Sequence, residues 1–318
     1  MRVRAWPLCL LVTLWVVQQA CAQVAPGTPP LRVAVVSSQS SQPYQQAIRA
    51  LRQGLEAATV RGQPFQLVQL DGPDTPISVD GRIGLYVALG SQACERLTNK
   101  PRQVTVLCAM VPMAQFEKIR SRLSPAMALQ TAALYLDQPL SRQVRLMRLA
   151  WPNVKRLGAL LGSQSATQQP ALRDAARAAG FELILAKRDK DAPDFRTLFD
   201  VLERSEVLWA LPDPDVFGVQ FSYNILLAAW RKRVPVMAFS PAYVNAGAVL
   251  GLFATPALVG QDAAALALSL LRGQLLPDRT YHARLFEVSV NTTVAASFGM
   301  TLDAQVLQLQ LRALEASP

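Results

Sequence analysis

Short apolar runs, each followed by an amphipathic helix, recur along this chain in two successive series. The first comprises LRVAVVSS, FQLVQL, LYVALGSQ and VTVLCAMV; the second VKRLGALLGSQS, FELILAK, VLWALPD and VPVMAFS. A strand that is apolar on both faces has to be covered on both, which helices laid over a parallel sheet accomplish. The segments between have helical spacing. Ala47, Ile48, Leu51 and Leu55 share one face of PYQQAIRALRQGLEAA, Phe195, Leu198, Phe199 and Leu202 share another, and Gly180 closes PALRDAARAAG. With 318 residues the chain can bury two ordinary cores. The second series restarts after LSRQVRLMRLAWP and repeats the architecture without repeating the sequence. The expected fold is α/β, two doubly wound parallel-sheet lobes.

The N-terminus has a different character. In MRVRAWPLCLLVTLWVVQQACAQ, Arg2 and Arg4 precede an apolar stretch from Leu8 to Val17, and Ala20-Cys21-Ala22 forms an A-x-A site before Gln23. That is the layout of a signal peptide over residues 1–22, too short to span a bilayer comfortably. Export to the periplasm is expected. A lipoprotein anchored through Cys21 is the less favoured reading, because Gln18-Gln19-Ala20 lacks the aliphatic residue expected three positions before such a cysteine. Cleavage removes two arginines and leaves 30 basic against 22 acidic residues, still a basic protein. The charges are dispersed and form no nucleic-acid motif, so no nucleic-acid partner is expected. Arg142, Arg145 and Arg148 form one helical stripe, which reads as a solvated face or as a docking face for a membrane partner. Cys94 and Cys108 are the cysteines left after cleavage. In an oxidising compartment they either form a bridge worth about 3 kcal/mol or remain buried thiols.

In open parallel sheets, ligands bind beyond the carboxyl ends of the strands, where helix N-termini present unpaired N–H groups. Those ends are Ser37-Ser38-Gln39, Gly90-Ser91-Gln92, Val111-Pro112-Met113, Ser163-Gln164-Ser165, Asp213-Pro214-Asp215 and Phe239-Ser240-Pro241. Each Ser or Asp is also a good helix N-cap, but their recurrence in both series suggests a polar cleft between two lobes. Catalytic equipment is sparse. The single histidine, His282, lies in YHARLFE, where a solvated or packing role is expected. The G-x-S-x-G, G-x-x-x-x-G-K-[ST] and G-x-G-x-x-G patterns are absent. One histidine and two separated cysteines make no metal site, and neither metal nor cofactor is expected. Asn291-Thr292-Thr293 matches a glycosylation sequon, but Asn291 as N-cap of the following helix is the simpler account.

Several stretches resemble the type I periplasmic solute-binding proteins of ABC transporters, and within them the subgroup for amino-acid-like, often aromatic, substrates. They are VALGSQA with its following helix, VKRLGALLGSQS, VLWALPDPDVF, VPVMAFSPAYVNAGAVLGLFATPALVGQDAAALALSLLRGQLLPD and VSVNTTVAASFGM. The resemblance implies two lobes joined by a hinge of three crossings, 31–150 plus 246–284 forming the N-terminal lobe and 151–245 plus 285–318 the C-terminal one. In this reading the stretch from Ser240 to Asn245 crosses the hinge, and GAVLGLFA returns to the first lobe as an extra strand. It also implies a small-molecule ligand, a membrane permease as partner, a monomer, and no enzymatic activity. Ligand contacts would come from Ser37, Ser38, Gln39, Gly90, Ser91, Gln92, Ser163, Gln164, Ser165, Asp213, Phe239 and Ser240. A ligand carboxylate would suit Ser91, Gln92 and Ser163, and an ammonium Asp213 or Asp215. This sequence departs from the family pattern where Asp-Pro is common, having Val111-Pro112, and where Tyr-Asn is common, having Leu161-Gly162. Two alternatives stay open: a sensing module of the same fold coupled to a signalling partner, and a hydrolase using an unrecognised serine.

Overall fold

A computed structural model describes residues 31–58, 65–70, 83–99, 103–188, 196–274 and 279–316. The signal-peptide segment and Phe195 lie outside the described residues. In the first series, β1 (Leu31–Ser37), α1 (Gln42–Glu56), β2 (Phe65–Leu70), β3 (Ile83–Leu89), α2 (Ser91–Thr98), β4 (Thr105–Val111), α3 (Met113–Arg120), α4 (Pro125–Gln130) and β5 (Thr131–Tyr135) follow one another. The second series runs through α5 (Leu140–Ala150), β6 (Arg156–Leu161), α6 (Gln169–Ala178), β7 (Glu182–Lys187), α7 (Arg196–Arg204), β8 (Val207–Trp209), α8 (Pro214–Phe217), α9 (Val219–Arg231), β9 (Val236–Ala238), α10 (Pro241–Ala246) and β10 (Leu250–Phe253). The chain closes with α11 (Pro256–Leu271), β11 (Thr280–His282), β12 (Glu287–Val290), α12 (Thr292–Ser297) and α13 (Ala304–Ala316).

Two sheets result, ordered β11-β5-β4-β3-β1-β2 and β12-β10-β9-β8-β6-β7. The pairs are parallel except β10 with β12. Val33, Val35, Leu85, Val87 and Leu107 face one side of the first sheet and pack with α1 and α11; Ala34, Val36, Tyr86, Val106 and Cys108 face the other. This two-sided burial is what the apolar runs required. Cys94 and Cys108 form a disulfide, Cα–Cα 5.4 Å, that ties α2 to β4. Asn291 caps α12, its side-chain oxygen accepting from Val294 N at 3.0 Å.

Two of the expected lobe boundaries need correction. GAVLGLFA does not return to the first lobe: β10 lies between β9 and β12, pairing Leu250 with Met237 and with Val290. Leu250 and Leu252 are buried in one cluster with Trp209 and Phe286, each contributing on the order of 2 kcal/mol. The connection from Phe239 to Val249 is thus a very short parallel crossover within one sheet, built on α10. The helix after it does change lobe. α11 lies across α1 so closely that a Cβ on Gly260 would sit 2.3 Å from Ala47 O.

Helix α5 was expected in the first lobe and belongs to the second. Val144, Leu146 and Met147 share the cluster of Leu157 and Trp209, and Trp209 Nε1 donates to Gln143 Oε1 at 2.7 Å. An amphipathic helix between two series can cover either sheet, and its sequence does not record which. The chain therefore changes lobe at 136–139, at 254–255 and at 283–286.

Candidate functional site

All three crossings depart from the carboxyl ends of parallel strands, β5, β10 and β11. Links of two to four residues span at most about 3.5 Å per residue, so they hold the carboxyl rims of both sheets next to one hinge. The polar strand ends read from the sequence lie on those rims.

On the first rim, Ser38 N donates to Leu89 O at 2.9 Å, and Ser38 Oγ accepts from Ala93 N at 2.9 Å in the first turn of α2. Tyr44 is hydrogen-bonded to Ser38 as well; burial raises its phenol above the ordinary value, opposed by that bond. Gly90 has φ +89°, and a Cβ there would lie 2.6 Å from Ser38 Oγ and 2.7 Å from Tyr44 Oη. Glycine is needed for both reasons. Gly90 at the N-cap of α2 has no side chain to cap it, and the N–H groups of a helix's first turn have no intrahelical partner. Ser37, Ser38 and Ser91 are half-buried, Gln39 and Gln92 exposed, and Gly90 buried.

On the second rim, Asp213 is 1% exposed. Its Oδ2 accepts from Gln164 N at 3.0 Å, Ser165 N at 2.7 Å and Ser165 Oγ at 2.7 Å, and its Oδ1 from Asp215 N at 3.0 Å. Asp213 thus locks the loop after β6 onto the end of β8. A Cβ on Gly162 would lie 2.3 Å from Asp213 Oδ1, so the carboxylate occupies the space a side chain at 162 would need. Asp213, one of the two expected partners of a ligand ammonium, is turned inward with its acceptor capacity engaged, and Ser165 is buried with it, whereas Asp215 is half-buried. Asp215 Oδ2 accepts from Ser163 N at 2.9 Å. Ser163 is exposed and Gln164 half-buried.

Phe239 and Ser240 end β9, both half-buried. The Phe239 ring lies 4.8 Å from Tyr243 and 6.1 Å from Phe217, and the Phe217 and Tyr243 rings are 6.0 Å apart. The Tyr243 hydroxyl donates to Phe217 O; burial raises its phenol, with an opposing hydrogen bond to Ser222. Ser240 stands at the N-cap of α10 but makes no side-chain cap bond.

The hinge has its own polar framework. Asp137 Oδ2 accepts from Met113 N at 2.6 Å and so supplies a carboxylate to the N-terminus of α3 beside Val111-Pro112. Burial raises the Asp137 carboxyl above its ordinary value, against the Met113 bond and the nearby His282. His282 has a packing role, edge-on to Tyr135 at 5.3 Å with Nδ1 2.9 Å from Asp137 O. The arginine stripe of α5 is no continuous solvated or docking face. Arg142 is buried, with Nη1 donating to Gln138 Oε1 at 2.8 Å and Ala283 O at 2.7 Å and Nε to Glu315 at 2.6 Å. Arg148 donates to Pro152, Val154, Ala179 and Gly180 carbonyls. Arg145 alone of the three is exposed.

Sequence reasoning missed Tyr44, Asp137, Arg188, Phe217, Phe221 and Tyr243. Arg188, directly after β7, is half-buried with its guanidinium 3.7 Å from the Phe221 ring centroid. A Lys-Arg pair ending an edge strand looks like solvated charge, and the only available signal was that it, too, ends a strand.

Comparison with solved structures finds the same fold at low identity. A conserved domain protein from Vibrio cholerae O1 biovar El Tor has 20% identity and a TM-score of 0.56, covering 87% of this chain and 97% of that one. An ABC domain from Streptococcus pneumonia in complex with L-Trp has 16% identity and a TM-score of 0.54 over 88% and 98%. The ligand-free, open form of a substrate binding protein with adhesive properties from Clostridium difficile has 15% identity and a TM-score of 0.64 over 86% and 96%. A comparison with curated proteins finds no match. The model of the ABC transporter substrate binding protein family matches residues 82–313, which takes in the whole second sheet, β3, β4, β5 and β11 of the first, and all three crossings. On that match, the chain belongs to the ABC transporter substrate binding proteins.

Proposed function

We propose that the chain performs its family's role as an exported, monomeric protein of the periplasm. It captures a small organic solute between the two carboxyl rims and delivers it to the permease of an ABC importer. The observation that carries this reading is the course of the crossings: each leaves a carboxyl strand end, so both rims border one hinge and can close on a solute. The proposed contacts are Ser37, Ser38, Gln39, Ser91 and Gln92 from the first lobe, and Ser163, Gln164, Phe239 and Ser240 from the second. Gly90, Ser165 and Asp213 shape those contacts from behind. The chain acts by binding alone, since its one histidine packs on Tyr135 at the hinge and the Ser165 hydroxyl donates to Asp213.

The test is mass spectrometry of small molecules released from the purified native protein, followed by thermal-shift titration of each solute found. L-Trp, held by the streptococcal relative, sets the size of solute to try alongside. At a hundred times its dissociation constant a true ligand adds about 2.7 kcal/mol. If no solute co-purifies and none shifts the melting point, the capture reading fails.

A further inference from the structure

Five arginines among the described residues stack on an aromatic ring. Arg142 and Arg312 lie over Phe286, Arg148 over Phe181, Arg233 over Phe298 and Arg188 over Phe221. Four of them also direct N–H groups at an acceptor: Arg142 at Glu315, Gln138 and Ala283 O, Arg148 at backbone carbonyls, Arg233 at Ser297 O and Arg312 at Phe286 O. Arg188 has no such acceptor among the described residues. Stacking holds the guanidinium plane by its face and leaves the N–H edge for a planar anion, the geometry suited to a carboxylate.

Its position is on the rim. Arg188 N donates to Leu161 O at 2.8 Å, which sets the residue beside the Gly162-Ser163 turn. Phe221, in the first turn of α9, packs against the same core cluster as Phe239 and Tyr243. An anion on Arg188 would therefore have half-buried aromatic rings beside it. The acids of the described rims already accept hydrogen bonds from the protein, Asp213 with its full acceptor capacity. Asp213 accepts four hydrogen bonds, Asp215 accepts from Ser163 N and Asp137 from Met113 N. A zwitterionic amino acid needs an acceptor for its ammonium, and a simple carboxylate does not.

We propose that the solute is a flat, apolar carboxylate without an ammonium group, its carboxylate paired with Arg188 and its body lying on the Phe239 side of the second rim. The proposal rests on the capture reading above. It departs from an amino-acid ligand, and it makes Arg188 the specificity-determining residue.

The experiment uses the mature protein and three matched probes of one body: 3-phenylpropanoate, L-phenylalanine and 3-phenylpropanamide, with the indole series in parallel. Binding is measured by calorimetry on the wild type, Arg188→Gln, Arg188→Lys and the exposed control Arg145→Gln, and the co-purified solute is identified by mass spectrometry. The expected result is a co-purified acid without an amine and a carboxylate probe bound about tenfold or more tightly than its amino acid. Arg188→Gln should weaken the carboxylate about tenfold and the amide less than about twofold, with Arg188→Lys between and Arg145→Gln unchanged. A co-purified amine or uncharged solute, tighter binding of the amino acids, or equal losses for acid and amide on Arg188→Gln would overturn the proposal while leaving solute capture standing. No co-purified solute and no binding by any probe would overturn both.

Discussion

Asp213 shows how one residue's role depends on what lies behind it. From the sequence it is a carboxylate at a strand end, equally suited to capping a helix and to meeting a ligand ammonium. The fold brings Gln164 and Ser165, some 48 residues earlier, onto its oxygens, and only that long-range pairing turns it inward. Asp213→Ala should leave several buried donors without partners and destabilise the protein by at least about 3 kcal/mol, read as a lower urea midpoint. Because the carboxylate is buried, the variant should weaken amine-bearing and amine-free solutes alike; a selective loss of the amine-bearing ones would put Asp213 in contact with ligand. Arg188 is the converse case. Its residue type hinted at solvent, and the Phe221 ring beneath it made the difference.

The strand ends were legible because period, apolarity and the polar residue closing each run are local properties. Membership of a lobe was not. GAVLGLFA has an apolar strand's composition wherever it pairs, and α5 presents an apolar face either sheet could take. The choice is made by tertiary partners such as Gln143 for Trp209. At the same scale, the Cys94–Cys108 bridge closes a short loop between α2, which carries Ser91 and Gln92, and β4. The Cys94→Ala, Cys108→Ala double variant should lose about 3 kcal/mol, checked by denaturant titration without reductant, and wild type with reductant should fall to the same midpoint. Retention of the wild-type midpoint would mean the bridge constrains nothing. The first crossing offers a pH signature. The folded state raises the Asp137 carboxyl above about 3.8, so it binds its proton more tightly folded than unfolded. That contribution to stability is fully present below the ordinary value and is lost as pH rises through the folded value. Asp137→Asn keeps an oxygen for Met113 N and removes the ionisation. It should be less pH-dependent than wild type over that window, as measured by melting temperature against pH.

For the whole molecule, the question is what resists and what permits closure. Two of the three crossings are fastened by side chains: Gln138 and Ala283 converge on Arg142, and Asp262 of α11, 2% exposed, accepts from Arg284 N at 2.7 Å and Leu285 N at 3.0 Å. The Arg284 guanidinium adds a looser ion pair at 3.5 Å. The third crossing is therefore held from both lobes, by Asp262 in the first and Arg142 in the second, so that closing has to bend the chain between fixed points. Asp262→Ala should release one of those points and orphan two backbone N–H groups, costing about 2–4 kcal/mol. It touches neither rim, so a solute should still bind, but with weaker affinity, because more open arrangements of the lobes compete with the closed one. Small-angle scattering separates this from simple loss of stability. Wild type should contract on adding saturating solute, and the variant should start larger and contract to the same bound dimensions. A variant as compact as wild type without solute would show that Asp262 stabilises the first lobe without restraining the hinge.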